Sequence, residues 1–282
     1  MISSVNFLPH GMQILPELDS SGNEKFGLLN GYMDGITKEL EKEAPNIIIL
    51  FTPHGLNLSS SFLMYQHNAF EGRYYQITPE DSVVYGDLKY LKQWVGDSEL
   101  GEKLLSDLLA KNIKMEAVTQ GNPDYPLTLA WGETVPLYYL PEIGAKILVI
   151  GIPRSRHTDI QGIQGSLRNL ADVILDFGQK LDKKVALVFS GDLSHTHIEA
   201  GPYGFHESSK PFDELVQKWV KSQSNEDYEK ILELQPTALA CGMAGMGMIN
   251  QLFRKIKLEN EIVFYELPTY FGMMVSRWLP SR

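Results

Sequence analysis

Three apolar runs of the sequence lead into side chains that bind metals or carry protons. The run "VNFLPHG" leads into His10, and "IIILFTPHG" leads into His54. A third run, "KVALVFSGDLSH", continues into Asp192 and His195. Imidazoles bind transition metals and exchange protons near neutral pH, and a neighbouring carboxylate assists either task. These residue types predict a metal centre or an acid–base site.

The repeated Pro-His-Gly pattern is the most informative part of this signal. Proline ends a strand and glycine allows a sharp turn, so the histidine between them is held at the edge of a sheet. A lone histidine at a strand end usually caps or hydrogen-bonds, whereas two copies of the pattern favour one shared site. His10 and His54 are far apart in the sequence, so only the fold can bring them together.

The one cysteine, Cys241, lies in "ALACGMAGMGMINQLF", a stretch with a helical pattern. At a helix N-terminus the dipole favours a thiolate, which suits a metal ligand or a nucleophile. Free cysteines are also common as buried apolar residues, and its position leaves both readings open. The glycines of this stretch lack the GxGxxG spacing of a nucleotide-binding loop, so close helix packing explains them better.

The remaining histidines follow no such pattern. His197 either shares the face of His195 or points to solvent. The sequence has no GxSxG or GK[ST] motif, and "HESSK" lacks the last histidine of the HExxH zinc motif. Three others are expected on the surface or in loops: His67, His157 and His206.

The elements that must position these residues alternate along the chain. Continuous apolar runs, typical of strands covered on both faces, predict strands at residues 5–8, 46–51, 146–152, 184–189 and 261–267. Leucine-rich periodicity predicts helices at residues 99–112 and 166–184.

This alternation predicts an α/β fold with a mostly parallel central sheet and helices on both faces, in a single domain over residues 1–282. Ligands bind beyond the carboxyl ends of such strands, so the three polar clusters are expected at one edge. The least regular region, residues 73–126, is interpreted as an excursion over the sheet.

Composition narrows the partners. The 282 residues carry 25 basic and 35 acidic side chains, a formal charge of −10, and no cluster of Lys or Arg. This balance argues against a nucleic-acid or anionic-membrane partner. A single cysteine excludes an intramolecular disulfide and favours a reducing compartment. With no signal-peptide pattern and no long apolar stretch, we expect a soluble, cytoplasmic protein.

The order of these motifs resembles a known family. The chain resembles the class III extradiol ring-cleavage dioxygenases of the LigB type, and more closely their relatives in the Memo-like and AmmeMemoRadiSam group. The resemblance covers nearly the whole chain and is carried by "FLPHG", "TPHG", "TVPLYYL", "SGDLSHTHIEAGPYGFHESSKPFD" and "ALACGMAG". The long fourth segment is the most specific.

The resemblance implies roles for individual residues. In ring-cleaving members, two histidines and a glutamate hold ferrous iron, a further histidine acts in acid–base chemistry, and another binds the catecholic substrate. By motif, His10 and His54 correspond to the two imidazole ligands. His195 corresponds to the acid–base histidine, with Asp192 as a catalytic-site residue beside it.

Two departures from the family pattern bear on function. Where ring-cleaving members have Asp-His-Gly, this chain has Ala130, Trp131 and Gly132, so Trp131 is the candidate for narrowing the pocket or stacking on an aromatic substrate. A core or lid position for Trp131 is the alternative. Where the glutamate ligand is expected, this chain has Cys241, as Memo-like relatives do. Cys241 is therefore the candidate third ligand, and Glu133 is a weaker alternative.

These departures leave two functions in view. The first is a non-haem Fe(II) extradiol-dioxygenase-like oxidoreductase of aromatic compound metabolism, with a catecholic or related small molecule as substrate. The second is a Memo-like protein that binds copper, zinc or iron without cleaving rings and works with a radical-SAM or other protein partner. A thiolate ligand softens the site toward zinc or Cu(I). Assembly into a homo-oligomer is compatible with either function. A metal-free scaffold is the least favoured interpretation.

Overall fold

The computed structural model describes residues 1–18, 25–74, 89–157 and 160–281, with the backbone alone at residues 156 and 157. Within these ranges the strands are β1 (Ile2–Leu8), β2 (Ile47–Thr52), β3 (Phe62–Tyr65), β4 (Ala69–Tyr74), β5 (Lys89–Val95), β6 (Met115–Val118), β7 (Leu127–Leu129), β8 (Lys146–Gly151), β9 (Val185–Ser190), β10 (Leu258–Glu266) and β11 (Met273–Pro280). The helices are α1 (Gly27–Glu43), α2 (Ser98–Ala110), α3 (Trp131–Tyr138), α4 (Gln164–Lys180), α5 (Ser209–Ser222), α6 (Asn225–Ala238) and α7 (Met243–Phe253).

A mixed sheet, largely parallel, forms the centre of the fold. Its strand order is β10-β11-β1-β9-β2-β8-β3-β6. The four central strands β1, β9, β2 and β8 are all parallel, and they are four of the five strands predicted from apolar runs. Leu8 pairs with Ser190, and Thr52 pairs with Gly151, so these strands end at one edge. The predicted α/β class and mostly parallel sheet are confirmed.

Helices cover both faces of this sheet. Alternate residues of a strand point to opposite faces, and the buried strand residues divide accordingly. Ile49 and Leu187 pack with helices α2, α4, α5, α6 and α7. Ile48 and Val188 pack on the other face with α1, α3 and the smaller sheet. In the described part of the chain, no helix is both long enough and apolar enough to cross a membrane.

The fifth predicted strand differs from the other four. Strand β10 lies at the edge of the sheet as far as the chain is described and pairs with β11, antiparallel; most of its side chains are half-buried or exposed. Its apolar residues therefore cover one face rather than two. Between it and β1 lies β11, which the apolar pattern did not predict.

The region interpreted as an excursion contains regular structure. Its described part, which omits residues 75–88, includes β5, α2 and β6. Strands β5, β4 and β7 form a separate three-stranded sheet. The Trp94 indole of this sheet donates to the carbonyl of Leu137 at 3.0 Å. The small sheet thereby supports α3, the helix that begins at Trp131.

Close packing explains the glycines around Cys241, as expected. A Cβ on Gly247 would lie 2.7 Å from both Leu167 Cδ1 and the Tyr228 hydroxyl, so this glycine lets α7 approach α4 and α6. A Cβ on Gly191 would lie 2.4 Å from the Cα of Gly242. The loop after β9 can therefore approach the start of α7 this closely only where residue 191 lacks a side chain.

Candidate metal centre

The three residues expected to bind a metal converge at the edge of the sheet. His10 follows β1 and His54 follows β2, on either side of β9, while Cys241 lies just before α7. One donor atom from each of the three lies within 4.8 Å of the others. Cys241 Sγ is 3.3 Å from His10 Nε2, and the two imidazole centroids are 4.8 Å apart.

This arrangement fits a transition metal. Nitrogen and sulfur ligands at usual bond lengths of a single metal lie about 3.1 to 3.6 Å apart for angles between a right angle and the tetrahedral value. The separation of 3.3 Å between Cys241 Sγ and His10 Nε2 falls in this range. Two imidazoles and one thiolate form a donor set for zinc, copper or iron. His10 and Cys241 are buried and His54 is half-buried, so the set opens on one side.

A second group of donor atoms adjoins the first. Atoms of Asp192, His195 and Cys241 also lie within 4.8 Å of one another. Cys241 belongs to both groups, so the predicted catalytic pair sits directly beside the predicted ligands. All five residues border or underlie one open cavity of about 360 Å³.

Ser190 sets the proton position on His10. The Ser190 hydroxyl donates to the carbonyl of Gly132 at 2.5 Å and lies 2.7 Å from His10 Nδ1. A hydroxyl has one hydrogen, so Ser190 accepts the second bond and His10 Nδ1 must be the donor. This leaves Nε2 as the lone-pair nitrogen, facing Cys241. Sequence analysis gave Ser190 no role; its position at the end of β9, two residues before Asp192, was the available signal.

Asp192 is a buried carboxyl that also holds His10. Its Oδ1 accepts the backbone N–H of His10 at 3.2 Å, and its Oδ2 lies 3.1 Å from His10 Nε2. Burial raises the pKa of Asp192 to about 8, against the smaller lowering effect of the bond from the His10 backbone. Asp192 therefore contacts both the backbone and the ring of His10.

The backbone around Asp192 also positions the thiol. The Asp192 N–H donates to Cys241 Sγ at 3.3 Å, and the Asp192 carbonyl accepts the N–H of Gly242 at 3.0 Å. A donor directed at sulfur favours the thiolate, and so does the adjacent N-terminus of α7. The sequence-based expectation that Cys241 lies at a helix N-terminus agrees with this placement.

His195 stands in an aromatic wall of the cavity. Its Nδ1 donates to the carbonyl of Leu193 at 2.9 Å, so the neutral ring has its lone pair on Nε2. The ring stacks on Phe271 with centroids 5.2 Å apart, and Tyr203 meets it edge-on at 5.5 Å. Tyr270 lies 6.1 Å away. Sequence analysis did not single out these three aromatic residues, although Tyr203 belongs to the "GPYGF" segment.

Trp131 lies beside the predicted ligands and is not a core residue. It is the first residue of α3, is 46% exposed, and has its ring centroid 5.0 Å from that of His54. The next residue explains how α3 comes so close. A Cβ on Gly132 would lie 2.7 Å from His54 Cβ and 2.9 Å from Thr52 Oγ1.

The glycines of the two Pro-His-Gly motifs are required for different physical reasons. Gly55 has φ +86, and a Cβ there would overlap the carboxyl of Glu133 at 1.8 Å. Gly11 has an ordinary φ of −56, but its Cβ would lie 2.5 Å from Met273 Cε. The sharp turn expected at both positions is therefore required only after His54.

Glu133 is separate from the metal donors. It is fully buried in the first turn of α3, where Tyr65 Oη lies 2.8 Å from its Oε1. Burial raises the pKa of Glu133 to about 8. No group of metal-donor atoms found among the described residues includes it.

The other described histidines have structural partners away from the centre. His67 lies in a loop but is buried, and its ring nitrogens bond the Tyr125 carbonyl and the Gln120 N–H at 3.0 and 2.8 Å. His197 Nε2 lies 2.8 Å from Asp213 Oδ2, so it points into the protein rather than to solvent. His206 is exposed. The His157 side chain lies outside the described residues.

Comparison with known proteins identifies the family. The sequence-family model described as "Catalytic LigB subunit of aromatic ring-opening dioxygenase" matches residues 4–263 of the chain. "Protein CA_C1420" of Clostridium acetobutylicum is 24% identical over 261 residues, which cover 92% of this chain and 53% of that protein. The 3,4-dihydroxyphenylacetate 2,3-dioxygenase of Escherichia coli is 27% identical over 210 residues, which cover 71% of each chain.

The match agrees with the resemblance seen in the motifs. The chain spans about half the length of the Clostridium relative. The matched range contains both Pro-His-Gly motifs, the "SGDLSH" segment and Cys241. The chain therefore belongs to the LigB family of catalytic subunits of aromatic ring-opening dioxygenases.

Proposed function

We propose that the protein is a non-haem Fe(II)-dependent, extradiol-dioxygenase-like oxidoreductase that acts on a catecholic or related aromatic substrate, with residues 1–282 as one catalytic domain. The observation that carries this proposal is the convergence of His10, His54 and Cys241 next to an open cavity that the three histidines His10, His54 and His195 line. Family membership and the distant dioxygenase relative support the same reaction class. The acidic balance and single cysteine are consistent with a cytoplasmic protein.

The proposed ligands are His10 Nε2, His54 and the Cys241 thiolate. When bound, Fe(II) would supply the site at which the substrate oxygens and dioxygen meet and exchange electrons. The protein prepares this site through Ser190, which holds the lone pair of His10 inward. Such hydrogen bonds behind a ligand orient its ring and raise its basicity.

His195 is the proposed acid–base residue. Its Nδ1 proton is committed to the Leu193 carbonyl, so Nε2 accepts a proton from a substrate hydroxyl and later returns it. An imidazole suits this task because its ordinary pKa of about 6.5 allows both steps near neutrality. The aromatic wall of Tyr203, Tyr270 and Phe271 provides an apolar surface for a ring-shaped substrate.

A Memo-like function is the second candidate, and Cys241 is the observation that favours it. The thiol accepts a backbone N–H and adjoins a helix N-terminus, both of which stabilise a thiolate. A thiolate ligand favours zinc or Cu(I) and is easily oxidised beside iron and dioxygen. In this alternative the protein binds metal without cleaving rings and works with a radical-SAM or other partner.

Metal analysis separates the two candidates. The wild-type protein, His10→Ala and Cys241→Ser are purified without oxygen, with His206→Ala as an exposed-histidine control. Iron near one per chain that is lost in His10→Ala supports the dioxygenase proposal. Copper or zinc that is lost in both His10→Ala and Cys241→Ser, but retained in His206→Ala, favours the Memo-like function.

A catechol assay then tests the reaction itself. Fe(II)-loaded protein is mixed with a broad catechol panel and dioxygen, and yellow ring-opened product is followed by absorbance. We expect His195→Ala to abolish product while keeping its metal, because this residue moves protons rather than binding the ion. Iron-loaded protein that gives no product with any catechol would contradict the dioxygenase proposal.

A further inference from the structure

A second cavity lies against the candidate metal centre and shares the side chains of His54 and Trp131 with it. Its volume is about 320 Å³. The wall includes His54, Leu56, Tyr65, Trp131 and Glu133, and it contains no lysine or arginine among its described residues. A carboxyl and several hydrogen-bond acceptors therefore border it without a lysine or arginine among the described lining residues.

Glu133 is a residue of this cavity whose hydrogen bonding is incomplete. The side chain is 0% exposed, and its Oε2 has no hydrogen-bond partner among the described residues. Buried carboxyl oxygens are normally satisfied, and an unmade hydrogen bond of this kind costs about 1 to 3 kcal/mol. This oxygen can therefore accept a hydrogen bond from a ligand in the cavity that Glu133 lines.

The protein satisfies the Glu133 carboxyl only in part. Backbone groups of Ala130 and of Glu133 itself lower its pKa through hydrogen bonds, yet Oε2 has no partner among the described residues. Tyr65 Oη lies 2.8 Å from Glu133 Oε1 and 2.9 Å from the carbonyl of Leu56, but Tyr65 has one hydroxyl hydrogen for both acceptors. Thus Glu133 receives at most one side-chain hydrogen bond, and that bond is shared.

The fold nevertheless reserves space for this carboxyl. A Cβ on Gly55 would fall 1.8 Å from Glu133 Oε1, so only glycine at position 55 admits the side chain. Positive φ at Gly55 favours the same residue. The turn that presents His54 to the metal centre therefore also makes room for a buried acid behind it.

Trp131 adds a second preference for positive charge. Its indole borders the cavity, and a cation over an indole face is attracted by the ring's electron density. A carboxyl and an indole in one wall, without a lysine or arginine among the described lining residues, favour a cationic donor, because a bound cation also favours the ionised form of Glu133.

We propose that this cavity binds the ammonium group of an amine, with Glu133 as its acceptor and Trp131 as its aromatic wall. An ammonium brings three N–H donors, which satisfy the unpartnered Glu133 oxygen together with neighbouring acceptors such as the Leu56 carbonyl. This site uses none of the proposed metal-binding atoms, so it does not depend on the metal or on the proposed reaction. The amine belongs either to the molecule at the metal centre or to a separate ligand.

Binding of matched probes tests the proposal on metal-loaded protein. Phenethylamine, 2-phenylethanol and 3-phenylpropionate share a ring and differ in charge, and their affinities are measured by calorimetry on Zn(II)-loaded protein at pH 7. We expect phenethylamine to bind at least about tenfold more tightly than the other two. Equal affinities for the amine and the alcohol would overturn the proposal.

Variants locate the binding. Glu133→Gln keeps the shape and an acceptor for Tyr65 but cannot ionise when an ammonium binds beside it, and we expect it to abolish the amine preference. Trp131→Leu should weaken phenethylamine several-fold, and Glu116→Gln, an exposed acid on β6, should change nothing. Urea unfolding verifies that each variant is folded. Unchanged amine affinity in both Glu133→Gln and Trp131→Leu would contradict the assignment.

Nuclear magnetic resonance tests directly whether the amine binds beside Trp131. The chain has 4 tryptophans, so ¹⁵N labelling gives few indole signals, and Trp131→Phe identifies the one from Trp131. Phenethylamine should shift this signal in wild-type protein but not in Glu133→Gln. An unshifted signal under saturating amine would place binding elsewhere and overturn the proposal.

Two further probes distinguish the source of the amine. If it belongs to the metal-centre ligand, 4-(2-aminoethyl)catechol should bind more tightly than 4-ethylcatechol in wild type, and the gain should vanish in Glu133→Gln. If the amine is a separate ligand, phenethylamine and 4-ethylcatechol should bind at the same time with independent affinities. Either result supports an ammonium site. If phenethylamine binds but neither catechol does, the ammonium site stands and the proposed reaction is contradicted.

Discussion

His10 Nδ1 lies 2.7 Å from the hydroxyl of Ser190, and this hydroxyl donates a hydrogen bond to the Gly132 carbonyl at 2.5 Å. This short chain of hydrogen bonds joins the loop after β1, the end of β9 and the start of α3. It directs the His10 lone pair toward Cys241 and also couples the imidazole to the helix that carries Trp131. The orientation of one proposed ligand is thus set by two residues outside the donor set.

Ser190→Ala should weaken metal binding without unfolding the protein. The substitution removes the acceptor for His10 Nδ1–H, so either ring nitrogen can carry the proton and the ring loses its fixed orientation. Loss of such a partner typically lowers metal affinity by about 10- to 100-fold. Competition with a chromogenic chelator measures the change.

Ser276→Ala is the matched control for this variant. Ser276 is fully buried in β11, and its hydroxyl has no hydrogen-bond partner among the described residues. Its removal should leave metal affinity unchanged. Equal affinities of Ser190→Ala and wild type would mean that the Ser190 bond does not orient His10.

Gly132→Ala should displace His54. The new methyl group would lie 2.7 Å from His54 Cβ and 2.9 Å from Thr52 Oγ1, closer than packed atoms tolerate. Overpacking of this kind costs about 1 to 3 kcal/mol, and the shifted imidazole should lower metal occupancy. Urea unfolding and metal content measure the two effects on one sample.

Gly35→Ala provides the contrast. A Cβ on Gly35, inside α1, would meet nothing within 4 Å. Replacing a helical glycine with alanine in open space should stabilise the protein by about 0.5 to 1 kcal/mol and leave metal content unaltered. A Gly132→Ala protein as stable and as metal-rich as Gly35→Ala would refute the close-packing argument.

Asp213→Ala should destabilise the segment that carries His195. The Asp213 carboxylate accepts the Ser194 N–H at 3.0 Å, the Tyr265 hydroxyl at 2.7 Å and a bond from His197 at 2.8 Å. Removing a buried acceptor of three donors should cost about 2 to 4 kcal/mol, since each donor loses its partner inside the protein.

Thermal and urea unfolding test this effect, with Glu214→Ala as the neighbouring control. The Glu214 side chain is 62% exposed and its contact with Lys210 spans 3.8 Å, so its loss should change stability by less than about 0.5 kcal/mol. A similar small change in Asp213→Ala would show that this network does not support the segment.

The raised pKa of Glu133 predicts a pH-dependent stability difference. Burial raises this pKa from 4.5 to about 8, so between these values the folded carboxyl keeps a proton that the unfolded chain releases. The free energy of unfolding therefore falls as pH rises from about 4.5 to 8, by at most about 1.4 kcal/mol per pH unit from this group. Glu133→Gln removes the effect while retaining a neutral side chain of the same shape.

Urea unfolding of metal-free wild type and Glu133→Gln at pH 5, 6.5 and 8 checks the sign. Asp192 contributes in the same direction to both proteins, so the difference isolates Glu133. We expect Glu133→Gln to gain stability relative to wild type by up to a few kcal/mol toward pH 8. A difference that stays constant or reverses with pH would contradict the burial argument.

Much of the central fold was predictable because its signal is local. The runs that became β1, β2, β8 and β9 are apolar without interruption, as strands covered on both faces require. Strand β11 was missed because Arg277 interrupts its pattern. Arg277 is buried with partners on other elements: Glu43 and Glu261 accept from it at 2.7 and 2.6 Å, and Asn6 accepts from it at 3.1 Å.

The candidate site also has a part that was predictable from local sequence and a part that depends on the fold. The residues before and after His10 and His54 predicted strand ends, since proline and glycine act on their own backbone. The contact of Cys241 with His10 joins residues at opposite ends of the chain, and only the family resemblance pointed to it. The sequence contained no signal that Glu133 is buried, because burial depends on what packs around a residue.

By itself, the sequence determined the α/β class, the strands that end in histidine, and the residue types available for metal and proton chemistry. These features follow from apolar periodicity and from backbone preferences within a few residues. Only the tertiary structure decided which His10 nitrogen faces Cys241 and that Glu133 borders a second cavity behind His54. Hydrogen-bond direction and desolvation are set by atoms from β1, β9, α3 and α7 that meet only when the chain is folded.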